Sequence, residues 1–221
     1  MHIRAEYRVG PGLRFLSNLE MKHLMERALR RANLPFAISK GYNPQIRLSM
    51  GTVLPVGLWG EKEYLDLELE NNLELDDFKS RLQTALPAEL TVTECIEISP
   101  ATPSLMNSIN TAVYSFLLKD VQVNLEGWKE QILNAPSLII KSKGKNKDRD
   151  KDLKPGIYSI NLAPDRIDFW VKSGEGNIRY DELLELITRT GISCKSIMDV
   201  FRSGNYIKKD LNYFTPLEKV I

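Results

Sequence analysis

The spacing of the apolar residues changes repeatedly within the first hundred positions, and this most restricts what the chain can fold into. Residues 2–9 alternate between apolar and polar side chains, which is the pattern of a half-buried β-strand. Residues 21–32 instead repeat their apolar side chains at the spacing of an amphipathic helix. Alternation returns at residues 46–50 and 64–70. The sequence therefore predicts a mixed fold in which helices pack on a sheet.

Local signals define the ends of the first helix. Ser17 and Glu20 have the spacing of a capping box, in which each side chain binds the backbone N–H of the other residue. Asn33, with a proline two residues later, is expected to end the helix. A second helix is expected to begin at Asp76 or Asp77, whose carboxylates can cap its N-terminus.

The second helix and a strand over residues 91–98 complete the order βαββαβ, which is the ferredoxin-like arrangement. Strand and helix patterns follow one another again after the Ser- and Pro-rich stretch 99–104. A stretch rich in Lys, Arg, Asp and Asn at 144–156 is expected to be a loop. We predict an α+β chain of two tandem ferredoxin-like halves with antiparallel sheets, divided into an N-terminal domain at 1–98, a linker at 99–111 and a C-terminal domain at 112–221.

Charge is strongly separated along the chain, although the formal net charge is only +1. Residues 1–60 contain nine Lys and Arg against three acids, whereas residues 61–100 contain three Lys and Arg against eleven acids. Such separation fits an oriented surface that attracts an anion. It fits equally an arrangement in which the two blocks lie beside each other in the fold and neutralise one another.

Several classes of protein are disfavoured by what the sequence lacks. Cys95 and Cys194 are too few for an iron–sulfur cluster or a structural zinc site, and His2 and His23 have no metal-binding spacing, so we expect no metal and no cofactor. No run reaches the roughly 18–20 apolar residues of a membrane-spanning helix. The N-terminus alternates and does not resemble a signal peptide, so a cytoplasmic location without membrane contact is expected. No catalytic motif is present, which favours a role other than enzyme.

The segment 39–47 has the most unusual composition. Gly, Ser and Asn can place backbone donors close to a ligand, while basic and aromatic side chains add charge and a stacking surface. This combination fits a phosphate or a nucleotide, and the candidate binding residues are Ser39, Lys40, Gly41, Tyr42, Asn43, Pro44 and Arg47. The same residues also fit an ordinary turn, in which Gly41 and Asn43 take unusual dihedral angles and Tyr42 packs over the core.

The first helix has a basic face, which is the second candidate binding region. Arg27, Arg30 and Arg31 lie on this face, and Arg14 precedes the helix. The face fits an electrostatic footprint for RNA or for an acidic protein, and it fits equally a solvated surface. Because the helix ends only a few residues before Ser39, we predict that its basic face and the segment 39–47 form one continuous binding surface.

Blocks of sequence in a fixed order resemble the bacterial radical SAM-linked protein family. These blocks are GLRFLS at residues 12–17, ERALRRA at 26–32 with LP at 34–35, SKGYNP at 39–44, LPVG at 54–57 and EYLDL at 63–67. The resemblance implies a domain that is fused to a radical SAM enzyme or encoded beside one. It also implies that the iron–sulfur cluster and the S-adenosylmethionine belong to that partner.

Two functions follow from these observations. In the first, the chain is a non-catalytic accessory or adaptor protein that works with a radical SAM enzyme and binds RNA or a substrate in the translation apparatus. In the second, it resembles the tandem ferredoxin-like endonucleases that process RNA without a metal, with His2 or His23 as the general base. The first is favoured, because the sequence shows no supported acid–base pair.

Overall fold

The structure is a computed structural model that describes residues 1–142 and 149–219. Two units are distinguished by their internal contacts. The first contains residues 1–110 together with residues from 204 onward, and the second contains residues 111–203. The C-terminal stretch therefore folds with the N-terminal half of the chain, whereas the domain division expected from the sequence keeps 112–221 together.

The elements before residue 110 are β1 (His2–Val9), α1 (Asn18–Arg31), β2 (Leu48–Met50), β3 (Gly60–Glu68), α2 (Leu75–Ala85), β4 (Leu90–Ile98) and the short helix α3 (Leu105–Ser108). Those that follow are β5 (Thr111–Leu118), α4 (Leu125–Asn134), β6 (Ile139–Ser142), β7 (Arg149–Asp152), β8 (Ile157–Ala163), β9 (Arg166–Lys172), α5 (Tyr180–Arg189), β10 (Ile197–Lys209) and β11 (Asn212–Phe214). The boundary between the units falls within β10. The predicted α+β class is confirmed, and the order β1-α1-β2-β3-α2-β4 agrees with the order predicted for the first half.

The long strands of the first unit pair in the order β4-β1-β3, and both pairs are antiparallel. β2 adds to β3 on its other side, with Leu48 opposite Leu67. The Gly51 N–H, directly after β2, donates to the carbonyl oxygen of Tyr64 at 2.8 Å. A Cβ at this position would lie 2.9 Å from the same oxygen, so the close approach of the two backbones requires glycine.

The predicted ends of α1 are confirmed. The Glu20 backbone N–H donates to Ser17 Oγ at 3.3 Å, and the Ser17 backbone N–H donates to the Glu20 carboxylate at 2.8 Å. The hydrogen bonds from the Ser17 side chain and backbone lower the pKa of Glu20. The helix ends at Arg31, and Asn33 takes a φ of 50°, in the left-handed region that does not continue a helix.

One face of this sheet packs against α1 and α2. The apolar residues of this core include Ile3, Ala5, Tyr7 and Val9 from β1, Met25 and Leu29 from α1, and Phe78 and Leu82 from α2. The residue that precedes α2 as its N-cap is Glu74. The predicted caps Asp76 and Asp77 lie instead in the first turn, where their carboxylates interact favourably with the helix dipole.

The opposite face of the sheet is also buried, so the prediction of a half-exposed β1 is wrong. Arg4 is 1% exposed and Glu6 is 8% exposed. The stretch expected to be a linker contributes Leu105 of α3, which forms a small apolar cluster with Tyr64 of β3. Leu217 from the C-terminal stretch packs against the same cluster. Two segments distant in sequence therefore cover the polar side of the strands.

Arg4, on β1, binds three other segments that meet on this second face. Its Nε and one terminal nitrogen donate to the two carboxylate oxygens of Asp66 at 2.7 and 2.9 Å. The guanidinium also donates to the carbonyl oxygen of Pro103 at 3.1 Å and to that of Pro216 at 3.4 Å. Because a buried charge is costly unless it is paired and hydrogen-bonded, these contacts hold β1, β3, the segment before α3 and the C-terminal stretch together.

In the second unit, β5, β9 and β8 pair in that order, and both pairs are antiparallel. Its core contains three aromatic rings packed edge to face, with Phe169 between Phe116 at 5.7 Å and Trp128 at 6.2 Å. The indole N–H of Trp128 donates to Thr190 Oγ1 at 2.8 Å, so the buried polar atom of this ring has a partner.

The charged stretch 144–156 is not simply a loop. β7 pairs antiparallel with β6, and residues 154–156 form a 3-10 turn. The ammonium group of Lys151 lies 2.7 Å from the carboxylate of Glu182, whose side chain is only 2% exposed. The paired strand β6 and the carboxylate of Glu182 both lie outside this stretch, so its own composition did not indicate the strand. Residues 143–148, also within the expected loop, lie outside the described residues.

We expect Asp66→Ala to destabilise the first unit by about 3–5 kcal/mol, because it leaves the Arg4 guanidinium buried without its counter-charge. Glu68→Ala on the same strand removes the partner of an exposed arginine and should cost about 0–1 kcal/mol. Both tryptophans of the second unit are first replaced by Phe. The fluorescence of Trp59 during urea denaturation then reports the unfolding of the first unit alone. Equal losses of stability in the two variants would contradict the role given to Arg4.

Candidate functional site

The loop 39–45 is closed at its base by hydrogen bonds between its first and last residues. The Ser39 N–H donates to the carbonyl oxygen of Gln45 at 2.8 Å, and the Gln45 N–H donates to Ser39 Oγ at 3.0 Å. The Gln45 side chain also donates to the side-chain oxygen of Asn43 at 3.2 Å. Gly41 has a φ of 144°, which favours glycine, as the turn interpretation predicts. The loop is thus held in shape by its own polar groups.

Tyr42 projects from this loop and is fully exposed. The alternative in which its ring packs over the core is therefore wrong. Lys40 and Pro44 are exposed as well. Within the part of the chain that the structure describes, neither Tyr42 nor Lys40 has a hydrogen bond or an ion pair. An aromatic face and a cation thus stand open to solvent on one short loop.

The three arginines on the basic face of α1 are engaged to different degrees. Arg31 donates to the carbonyl oxygen of Ala85 at 2.6 Å, so it links α1 to the end of α2. The guanidinium carbon of Arg30 lies 5.8 Å from the ring centroid of Phe36. Arg27 is exposed and, as far as the described residues show, has no ion-pair or hydrogen-bond partner. Arg27 therefore offers the least compensated positive charge of the three.

The remaining two candidate arginines bind other groups of the protein. A terminal nitrogen of Arg47 lies 2.6 Å from the Glu68 carboxylate, and this hydrogen bond lowers the pKa of Glu68. His2 Nε2 lies 4.0 Å from the same carboxylate. Arg14 donates from Nε to the carbonyl oxygen of Gly57 at 2.9 Å. The acidic strand β3 thus lies against the basic end of the segment 39–47.

The structure brings the end of α1 and the entrance of the loop together. Phe36, which lies under Arg30, forms an isolated antiparallel bridge with Leu69 and precedes Ser39 by three residues. Arg30 therefore stands beside the segment that leads into the loop. Arg14 instead contacts the connection between β2 and β3, so the candidate residues do not all share one location.

A buried polar cluster was missed by the sequence analysis. The Tyr64 hydroxyl donates to the Glu6 carboxylate at 2.6 Å, and the Thr93 hydroxyl donates to its other oxygen at 2.7 Å. Burial, together with the hydrogen bond to Glu6 and its charge, raises the pKa of Tyr64 well above the ordinary value. The signal available in the sequence was the matching alternation of polar residues in β1 and β3. The closed, fully bonded arrangement indicates a structural role.

No group of three or more His, Cys, Asp or Glu is placed to hold a metal ion in residues 1–142 and 149–219. Cys95 is half-buried and burial raises the pKa of its thiol, while Cys194 is exposed. His23 is exposed on α1. None of the helices in the described residues combines the length and the apolar character needed to cross a bilayer.

Comparison with known proteins identifies a sequence family. The profile of a family described as "Uncharacterized protein conserved in bacteria (DUF2344)" matches residues 2–182. No curated protein matches the chain in sequence. The solved structure of the acetolactate synthase small subunit from Thermotoga maritima is similar over 96% of this chain and 98% of that chain, with 12% identity and a TM-score of 0.24. At this TM-score the likeness carries no inference.

We expect the first unit to lose stability as the pH rises above about 10, the ordinary pKa of tyrosine. A group whose pKa is raised by folding stabilises the folded state while it stays protonated, and this contribution is lost with increasing pH. Tyr64→Phe should remove that dependence and lower the stability at neutral pH by about 1–3 kcal/mol, because Glu6 loses a donor. Urea denaturation across alkaline pH measures both effects, with Tyr42→Phe as the control for an exposed phenol. The same alkaline dependence in wild type and Tyr64→Phe would refute this assignment.

Proposed function

The chain belongs to the DUF2344 family of uncharacterized bacterial proteins, and we propose that it is a non-catalytic accessory or adaptor protein that binds RNA. We further propose that this RNA is a substrate within the translation apparatus. The observation that carries the proposal is the loop 39–45, on which Tyr42 is fully exposed beside an exposed Lys40. An aromatic face next to a cation is the combination that binds single-stranded nucleic acid.

The geometry of the loop supports this proposal. Stacking of a base on an aromatic side chain contributes about 1–3 kcal/mol and tolerates any sequence. Lys40 lies two residues from Tyr42, so its ammonium group can reach a phosphate next to the stacked base. The hydrogen bonds between Ser39 and Gln45 hold the loop in shape, which lowers the entropy lost on binding. Arg30 adds positive potential at the entrance of the loop.

The proposed partner is a radical SAM enzyme, and the sequence resemblance supports this choice. The chain has two cysteines, whereas an iron–sulfur cluster needs several thiolates, so in this pair the cluster is held by the enzyme. A cytoplasmic location belongs to the same proposal. We also infer that both units are ferredoxin-like, which is a finer statement than the α+β class. The order β1-α1-β2-β3-α2-β4 in the first unit supports this inference.

We expect the protein to bind a fluorescently labelled single-stranded RNA of mixed sequence. Tyr42→Ala should weaken binding by about 1–3 kcal/mol, whereas Tyr42→Phe should keep the affinity because the stacking ring remains. Lys40→Ala should reduce the slope of log affinity against log salt by about one unit, because one phosphate contact is lost. Fluorescence anisotropy at several salt concentrations measures all three variants.

The control for charge is Lys195→Ala, which removes an exposed cation from the second unit and should leave the affinity unchanged. If the RNA does not bind, or if Tyr42→Ala binds as tightly as wild type, the proposed role of the loop is wrong. Equal losses in Lys40→Ala and Lys195→Ala would show that binding is only a general effect of positive charge.

A metal-independent RNA-processing endonuclease is the second candidate, and the position of His2 is the observation that favours it. Its Nε2 lies 4.0 Å from the Glu68 carboxylate, so a small movement of either side chain would give this candidate general base a hydrogen-bonded carboxylate partner. Incubation of the wild type with structured RNA in the presence of a chelator tests this candidate. Cleavage that is abolished in His2→Ala and retained in His23→Ala would replace the adaptor proposal.

A further inference from the structure

We propose that the exposed side of α1 and the adjoining connection form a docking surface for an acidic amphipathic helix of a partner protein. Four large apolar side chains of the first unit are more than half exposed there: Phe15 at 75%, Leu19 at 61%, Val53 at 51% and Val56 at 52%. These four residues are called the apolar patch. The inference goes beyond the proposed binding of RNA and does not require it.

The two chain segments that carry the apolar patch are adjacent because Arg14 hydrogen-bonds to Gly57. The Gly57 N–H donates to the carbonyl oxygen of Arg14 at 2.7 Å, and Arg14 Nε donates to the carbonyl oxygen of Gly57 at 2.9 Å. Peptide dimensions then place the Cα atoms of Phe15 and Val56 within about 8 Å of each other. Leu19 lies four residues after Phe15, in the first turn of α1, which brings the patch onto the helix.

The exposed side of α1 is not the side with which the helix packs on its own sheet. Met21, Met25 and Leu29 occupy that side and are buried in the core. Phe15 and Leu19 therefore remain in water, although burial of such side chains is favourable by about 1.5–3 kcal/mol each. Exposed apolar side chains that are grouped in this way mark a surface that another molecule covers.

Positive charge continues the surface beyond the apolar patch. From Leu19, the exposed residues His23, Arg27 and Arg30 follow along α1 at spacings of four, four and three residues. These spacings place them in one row on the helix, which is about 16 Å long and spans three turns. The row is apolar at the N-terminal end of α1 and cationic at its C-terminal end.

The acids of α1 do not neutralise this row. Glu20 is held by Ser17 in the capping box. Glu26 lies 3.8 Å from the ammonium group of Lys22. Arg27 has no ion pair in the described residues. A partner that approaches this face therefore meets uncompensated positive charge next to exposed apolar side chains.

An acidic amphipathic helix matches this surface in both respects. Its apolar side chains cover the apolar patch, and carboxylates further along the same helix pair with Arg27 and Arg30. A second copy of the chain does not match, because a two-fold axis would place Arg27 opposite another Arg27 or opposite Leu19. A lipid surface matches poorly, because interfacial helices present an apolar face along their whole length and that of α1 is buried.

The probe for this proposal is a synthetic helical peptide of about 16 residues, the length of α1 plus its cap. It carries two Leu spaced by four residues at one end and two Glu spaced by four at the other. A second peptide has Lys in place of the two Glu. Fluorescence anisotropy with the full chain measures both peptides, the single-stranded RNA described above, and vesicles containing phosphatidylserine.

Three variants and two controls test the two halves of the surface. Phe15→Ser and Leu19→Ser should each weaken binding of the acidic peptide about tenfold, as expected for anchor residues of an interface. Leu211→Ser, at a side chain that is 91% exposed elsewhere in the first unit, should have no effect. Arg27→Glu should weaken binding of the acidic peptide and strengthen binding of the lysine peptide. Lys195→Glu in the second unit should do neither. Circular dichroism and the melting temperature of each variant verify that it is folded.

Loss of acidic-peptide binding in Phe15→Ser and Arg27→Glu, with RNA binding unchanged in Phe15→Ser, supports a protein docking surface separate from the loop. If neither variant changes peptide binding, or if the acidic peptide does not bind, the inference is wrong. If Phe15→Ser weakens binding of RNA or of the vesicles and not of the peptide, the surface binds that other ligand, and the inference is again wrong. Tyr42 lies outside the apolar patch, and Tyr42→Ala tests RNA binding alone. Failure of the loop proposal therefore leaves the peptide-binding results interpretable.

Discussion

A guanidinium group that is 1% exposed stays in a protein interior only where carboxylate and carbonyl oxygens surround it, and in the first unit that group belongs to Arg4. Its partners come from β3, from the segment before α3 and from the C-terminal stretch. By binding them it draws two distant segments over the polar face of the sheet. Glu6 and Tyr64 are buried under the same cover. The ligand-accessible features of this unit therefore lie on α1 and on the connections between its strands.

The separation of charge along the sequence has a partly internal explanation. Arg4 and Arg47 come from the basic block, and their partners Asp66 and Glu68 come from the acidic block. The two blocks thus neutralise each other across β1, β2 and β3. The positive charge that this pairing leaves uncompensated is smaller than the sequence indicates. It is concentrated in the exposed residues of α1 and of the loop 39–45. Ionic interactions in this unit hold the fold together as well as shaping its surface.

The family match ends at residue 182, but residues after it belong physically to the first unit. Pro216 supplies a carbonyl oxygen to Arg4, and Leu217 packs on the cluster of Tyr64 and Leu105. The loop 39–45 and the apolar patch lie within the matched residues and have different chemistry. The loop offers one stacking ring and one cation, whereas the patch offers a broad apolar area beside a row of positive charge. An adaptor needs two such separate surfaces if it holds a substrate and a partner enzyme at once.

The sequence by itself determined the elements whose signals are local. The capping box at Ser17, the stop at Asn33 and the extended conformation of β1 depend on neighbours within a few residues, so their prediction succeeded. It also indicated the loop 39–45, because Gly and Asn tolerate turn conformations that most residues avoid. Only the tertiary structure decided that Arg4 and Glu6 are buried, that Arg47 is neutralised by Glu68, and that Tyr42 is exposed. Each of these outcomes depends on segments that are distant in the chain, and hydrophobic periodicity carries no information about which distant segment covers a polar face.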